Sequence, residues 1–577
     1  MTNLTATADD FADGMRPANQ VMRLPRQGSL HASRLSFSRS LVRQMARENW
    51  TVTTTRFDLD DSGHGIVIYR LQTPHHTYHG VVFSQALDPD KRSDRVIAEA
   101  WDVTFAMVEG EVEDSLLEQM AANVPLQEAG RQHPRLLVLS RANKSLRNFS
   151  HFVAALASGR QPEPSSLTAV GYLYRTTAVY GNGKFGIADY ARLQQNPDFN
   201  RPFSAQMFAV YLLRHFSIEQ VNHLARCQAP ESAVALAPEL QRYLGIGNST
   251  GLGMAPFLIN HPQLIQQWVY GREYALAHAR LQPATPADHS RMLSLFKRAH
   301  THFRQTVTED PDQSARNRET VASIAVIIEW LERTSPSSNL WVELQVWADS
   351  HCSMEAQELI NTLLIELYPE LIDPVENDLG CEEILELQPE MKAQALNDLI
   401  ESRFDWALAY DPDDSAHNYW FWYRSAEKEE PRLGVRAEEN GVDKEMPLAI
   451  GPRIHQVHQR LQSFLQRSPH GWVVEFLLAN PSQKECVRRI QTMGLTPYGE
   501  IQANLWHRDM KPMHLLRTKL SFFGASRFDP KSDRWVRVTL FQGAPLFCEL
   551  FSHHGTDQSR LSKLDDWSFP TEPDLNE

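Results

Sequence analysis

A chain of 577 residues, 42% apolar and 22% charged, is too long for one hydrophobic core and too apolar to stay disordered, so two to four folded domains are expected. Its formal net charge of −14 excludes a general affinity for DNA, RNA or anionic lipid, which needs clustered positive charge, but leaves room for a local basic pocket. The cysteines, Cys227, Cys352, Cys381, Cys486 and Cys548, are odd in number and far apart, so they read as free thiols in a reducing compartment rather than a zinc or dithiol motif. The first residues carry acids and no apolar signal core, and no apolar run reaches bilayer length. A cytoplasmic protein without membrane association is therefore expected.

The predicted elements make an α+β chain, predominantly helical, with mixed N- and C-terminal regions around a helical centre. Residues 1–25 are small and polar and read as a flexible arm. Region 26–201 reads as α+β. It opens with a helix from Ser36 to Glu48 that places Arg39, Arg43 and Arg47 on one face, taken as solvated. Alternating Ile66–Leu71 and Tyr78–Ser84 read as strands, and so do Arg135–Leu139 and Leu167–Tyr174, with a helix at Ser145–Ala157 between them. Asp58, Asp60, Ser62 and Gly63 mimic the start of a calcium loop. Tyr69, however, stands at the twelfth position, where a bidentate Glu is required, so a turn is expected.

Region 202–410 repeats apolar residues at helical spacing in Met207–Phe216, Leu264–Leu276, Met292–Phe303, Val321–Leu331 and Ala356–Leu367, with Pro262 suited to a first helical turn. After an acidic linker at Tyr410–Ser415, region 411–565 reads as α/β, with strands at Trp472–Leu478, Ile501–Trp506 and Trp535–Phe541. Phe541–Phe547 suggests a hairpin whose return strand carries Cys548. Strands of this region are candidates to join the first sheet, and residues 566–577 read as a flexible tail.

Chemistry is sought first where glycine clusters, because glycine lets backbone approach a ligand closely. Only 27 glycines occur, yet Gly181–Gly186 holds three and Gly245–Gly253 holds four. In the second cluster Gly247, Asn248, Ser249, Thr250 and Gly251 offer backbone N–H groups and polar side chains suited to phosphate or carboxylate. No Lys follows the last glycine, so it is not a P-loop. The alternative is a helix cap and interhelical turn. Beside the first cluster, Arg175 and Lys184 supply positive charge, Tyr180 and Asn182 can orient a substrate, and Lys184 is a candidate base or charge stabiliser. The alternative is a hairpin turn.

A third candidate follows five successive aromatics from Tyr419. There Arg424, Lys428, Arg432 and Arg436 can clamp a carboxylate or phosphate, Glu427, Glu429 or Glu430 can bind a metal or serve as a general base, and Lys428 is a further candidate to move a proton. A solvated charged face is the competing reading. The histidines His75, His76, His79, His300, His302, His455 and His458 read as surface or core groups rather than metal ligands.

The segment Gly251-Leu-Gly-Met-Ala-Pro-Phe-Leu-Ile-Asn-His-Pro262 faintly resembles the glycine–serine–methionine–proline loop of the aspartase/fumarase lyases. The resemblance covers about a dozen residues. It implies that a flexible polar loop in a helical core can be a catalytic element, and it transfers no catalytic residue to this chain.

The leading expectation is an enzyme acting on a small anionic substrate, bearing carboxylate or phosphate, by acid/base chemistry: a lyase, isomerase or transferase. The site would form where the two glycine segments meet the charged segment. A noncatalytic helical scaffold or regulatory protein is the alternative, and an atypical nucleotide-dependent ligase or kinase a weaker one. The sequence assigns no cofactor, metal or oligomeric state.

Overall fold

The computed structural model describes residues 14–88, 101–123, 133–146, 148–168, 170–176, 193, 195–251, 261–376, 379, 385–409, 450–502, 512–532, 535–551 and 566–574. It is 55% helical and carries a nine-stranded sheet, the mixed, helix-rich class expected. The chain forms two compact units, each assembled from three stretches. A helical unit comprises Met1–His31, Gly251–Thr285 and Pro336–Lys519, and a sheet-bearing unit comprises Ala32–Thr250, Pro286–Ser335 and Leu520–Glu577. The helix-rich middle of the sequence thus contributes to both. Its helices Pro286–Gln305 and Pro311–Arg333 pack on each other in the sheet-bearing unit.

In the sheet-bearing unit, alternating β-branched and aromatic residues build an antiparallel series: β1 (Thr51–Leu59), β2 (Gly65–Gln72), β3 (Thr77–Ser84), β4 (Val103–Glu109), β5 (Leu136–Lys144) and β6 (Tyr172–Thr176). β7 (Gly245–Gly251) runs parallel to β6. The C-terminal strands β8 (Ala525–Ser532) and β9 (Trp535–Leu540) pair antiparallel and complete the order β1-β2-β3-β4-β5-β6-β7-β9-β8. The turn between β1 and β2 is fixed by Asp60, whose Oδ1 accepts from the backbone N–H groups of Ser62 and His64 at 2.8 and 2.9 Å.

The long Ser204–Gln228 helix is buried along most of its length and lies on this sheet. Its Glu219 and Gln220 accept hydrogen bonds from the hydroxyls of Tyr69 and Tyr174. Within it Arg214 is fully buried, and its guanidinium is satisfied by five carbonyls, those of Gln241, Arg242, Leu244, Ala544 and Pro545.

Several local expectations are corrected. The helix Phe37–Arg47 forms as read, but Arg39 and Arg43 are buried rather than solvated. Arg39 donates to Ser568 Oγ at 2.7 Å and lies over the Trp567 ring, and Arg43 donates to the Arg34 carbonyl. Cys548 sits in a short helix, Phe547–Phe551, not in a return strand. A short helix, Pro164–Thr168, occupies the start of the stretch read as a strand before β6.

In the helical unit, residues from Gly14 onward are packed rather than loose: Met15, Val21, Met22 and Leu24 are all buried. The main helices are Pro262–Arg280, Leu340–His351, Met354–Leu367, Ala393–Arg403, Ile450–Arg467 and Lys484–Met493. Pro262 opens its helix, where a missing N–H costs nothing. The stretch read as a strand at Trp472 is the helix Val473–Ala479, with the Glu475 carboxylate accepting from the Trp472 N–H at 2.9 Å. Of the expected Ile501–Trp506 strand, Gln502 makes one isolated bridge, to Arg23, and residues 503–506 lie outside those described.

Candidate functional site

The residues singled out by sequence divide sharply. Tyr180, Asn182, Lys184, Arg424, Glu427, Lys428, Glu429, Glu430, Arg432 and Arg436 lie outside the described residues. The others are brought together, in the sheet. Arg175 of β6 stands opposite Gly247 of β7, and the Asn248 side-chain amide donates to the Thr176 carbonyl at 2.7 Å. Ser249, Thr250 and Gly251 continue β7 as strand, not loop.

The glycines there have a packing reason. A Cβ on Gly245 would lie 2.4 Å from the Leu540 carbonyl oxygen of β9, and one on Gly247 would lie 2.5 Å from the Tyr172 ring of β6. Both positions are therefore closed to side chains by the neighbouring strands. Asn248 spends its amide on backbone.

Several of the described histidines hold structure, and two of the thiols are buried or half-buried. His76 Nδ1 meets the buried Asp198 carboxylate at 3.2 Å, where Tyr78 and Thr73 also donate. His302 lies 2.7 Å from the Pro570 carbonyl, and His458 lies 3.3 Å from Glu401. Burial pushes the Cys352 and Cys486 thiols up, to about 11 and about 12, which makes them poor nucleophiles. Among the described residues, no group of three or more His, Cys, Asp or Glu is placed to hold a metal ion. Among them, too, no helix is long and apolar enough to cross a membrane.

The arrangement with chemical potential lies in the helical unit. There a cleft of about 400 Å³ opens between the N-terminal segment and the helices Pro262–Arg280, Leu340–His351 and Met354–Leu367. Arg16, Arg26 and Arg280 line it, with the amides of Gln20, Gln345, Gln357 and Asn361. The volume lies in the lower part of the usual range for small-molecule sites, about 300–1,000 Å³.

Beneath the cleft is a buried ionic network. Arg16 makes a bidentate pair with Glu273, 2.8 Å on each arm, and reaches Glu358 at 2.6 Å. Arg272, fully buried, bridges the same two carboxylates at 2.7 Å each. Arg26 adds a 3.1 Å contact to Glu358 and a 3.0 Å bond to the Gln357 side chain. Burial alone would protonate Glu358, but the guanidiniums of Arg16 and Arg272 outweigh it and hold its carboxyl well below the usual range. Glu273 is lowered by the same contest, won by Arg16.

Arg280 is different. Two turns along the helix from Glu273, it has no carboxylate within ion-pair distance among the described residues, and its Nη1 donates to the Gly14 carbonyl at 3.4 Å. Its Nε and Nη2 are covered and have no acceptor among the described residues. Burial pulls this guanidinium down to about 10, with Glu273 opposing and Arg16 assisting the shift. Covered donors left unmade cost about 1–3 kcal/mol each, so this guanidinium is held at the cleft wall at a cost to the fold.

Charge counting agrees. Among the described residues, four guanidiniums (Arg16, Arg26 and Arg272 of the network, and Arg280 beside it) stand against two buried carboxylates, an excess of two positive charges, and Asp349 at the cleft reduces it to one.

Sequence reading missed this site. One signal was present: Arg272-Glu273 sits inside the apolar run Trp268–Leu276, where adjacent opposite charges mark a buried pair. Arg16, Arg26 and Glu358 join it only through the fold. No family model matches the chain, and neither the curated proteins nor the solved structures contain a match to it.

Proposed function

We propose that the chain binds a small organic anion in the arginine-lined cleft of its helical unit, and that any turnover acts on that anion. The observation that carries this is Arg280, a partly buried guanidinium with two covered nitrogens and, among the described residues, no carboxylate within ion-pair distance, at the wall of a cleft where guanidiniums outnumber carboxylates. Proteins rarely retain such a group for stability, because an unpaired buried charge destabilises the fold. Among the described lining residues, Asp349 is the one whose side chain can accept a proton, so it is the group for acid/base work on a bound anion. Lyase, isomerase or transferase chemistry on such a substrate is the enzymatic form of this proposal.

The test is calorimetric titration with a panel of small carboxylates and phosphates, on the parent and on Arg280→Gln. The variant should lose about 10- to 100-fold in affinity, the range for a charge-assisted hydrogen bond. Its melting temperature should hold or rise, because the substitution removes an uncompensated charge. Unaltered affinity for every anion that binds, or a collapse of stability, would make Arg280 a structural residue and sink the proposal.

A further inference from the structure

The lining of the cleft is of two kinds. Its arginines are covered, with Arg16 and Arg26 side chains only 10% and 12% exposed. Beside the amides and Asp349, the lining also has apolar side chains that are open: Leu281, Val342 and Val346 are 69%, 40% and 66% exposed. Val342 and Val346 are one turn apart on the Leu340–His351 helix, so they present a continuous stripe, and Leu281 caps the Pro262–Arg280 helix. Single exposed apolar residues need no explanation, but three on the wall of a cleft that also carries arginines form an amphipathic site.

We propose that the ligand is a monocarboxylate carrying an apolar chain, bound with the carboxylate toward Arg16, Arg26 and Arg280 and the chain along Val342, Val346 and Leu281. The proposal rests on the anion reading above and narrows it. One net positive charge balances a monoanion, whereas a phosphate dianion would leave negative charge beside Asp349. No aromatic ring lines the cleft among the described residues, so nothing there stacks a nucleotide base. Planar guanidinium forks match a carboxylate edge-on, and the neighbouring amides can donate to the same oxygens.

The full chain is titrated with acetate, butyrate, hexanoate and octanoate, and with inorganic phosphate. Affinity should rise about two- to fourfold per methylene, the gain for a methylene partly or fully withdrawn from water, and level off once the chain passes the rim. The exposed positions allow Leu281→Ser and Val346→Ser without disturbing the core. Combined, these two changes should flatten the series, so that octanoate gains little over acetate. Arg280→Gln should weaken all carboxylates by a similar factor. If acetate and phosphate bind as tightly as octanoate, the apolar chain site is wrong and the anion site stands. Binding by none of these anions overturns both. Chain-length dependence that persists in the Leu281→Ser, Val346→Ser variant places the tail elsewhere and overturns this inference alone.

Discussion

His31 shows how one side chain sets a pH dependence. It is buried in the helical unit, its Nε2 is 3.1 Å from the Glu355 carbonyl, and Glu355 is itself paired with Arg517 at 2.7 Å. Burial, with the Arg517 charge assisting, lowers its pKa from 6.5 to about 3. In the unfolded chain the imidazole takes a proton below about 6.5, while in the folded chain it stays neutral until about 3. Stability is therefore fully present above the unfolded value and falls through this window as pH drops, by about 1.4 kcal/mol per pH unit for one proton. Glu273 and Glu358, whose folded pKa values lie below the ordinary carboxylate value, add a separate loss only in stronger acid. His31→Gln keeps a donor for the Glu355 carbonyl but cannot titrate. Denaturant melts across the mildly acidic range should show a shallower loss of stability in the variant than in the parent. Equal slopes would mean that His31 already titrates normally in the fold.

At the scale of elements, β7 is the clearest case of structure imposed by neighbours. Gly245 meets the Leu540 carbonyl, an obstacle made of backbone, whereas Gly247 meets the Tyr172 ring, an obstacle made of side chain. Both Gly245→Ala and Gly247→Ala should destabilise the sheet-bearing unit by about 1–3 kcal/mol through overpacking. Only the second should be recovered, in part, by adding Tyr172→Leu. Thermal melts of the four variants separate the cases, and rescue of Gly245→Ala by Tyr172→Leu would show that the obstacle was misassigned.

The same strand explains what the sequence concealed. Its one large apolar residue is Ile246, so spaced glycines looked like a ligand loop, and only Tyr172 and Leu540, far away in the chain, make them a strand. Long periodic segments such as Ser204–Gln228 and Pro262–Arg280 were legible because burial repeats along the helix itself. The short apolar run at Val473–Ala479 fits strand or helix equally, and is decided by the Glu475 cap and by Lys392 over the Trp472 ring. The arginine cleft was illegible because Arg16, Arg272 and Glu358 carry no joint spacing.

At the scale of the whole molecule, the chain enters each unit three times, so neither unit can be excised by a single cut. The consequence is sharpest at the C-terminus. β9 lies between β7 and β8, and its Val536 and Val538 are fully buried. The same C-terminal stretch supplies the Ala544 and Pro545 carbonyls that help satisfy Arg214, and the Trp567 ring under Arg39. A chain ending at Lys519 would leave β7 as an open edge, strip acceptors from a buried guanidinium and uncover apolar surface at once. Open edges pair with other chains, and an unsatisfied buried charge is among the costliest single defects. Such a chain should aggregate while retaining much of its helical signal, because most helices lie before the cut. Val538→Asp in the full-length chain tests the same docking without deletion, and should lower the melting temperature of the sheet-bearing unit by burying a charge in β9. Light scattering after size exclusion, with far- and near-UV circular dichroism, reads both. A monomeric truncated chain with native near-UV signal, together with an unaltered Val538→Asp melt, would mean that the sheet is complete without its last two strands.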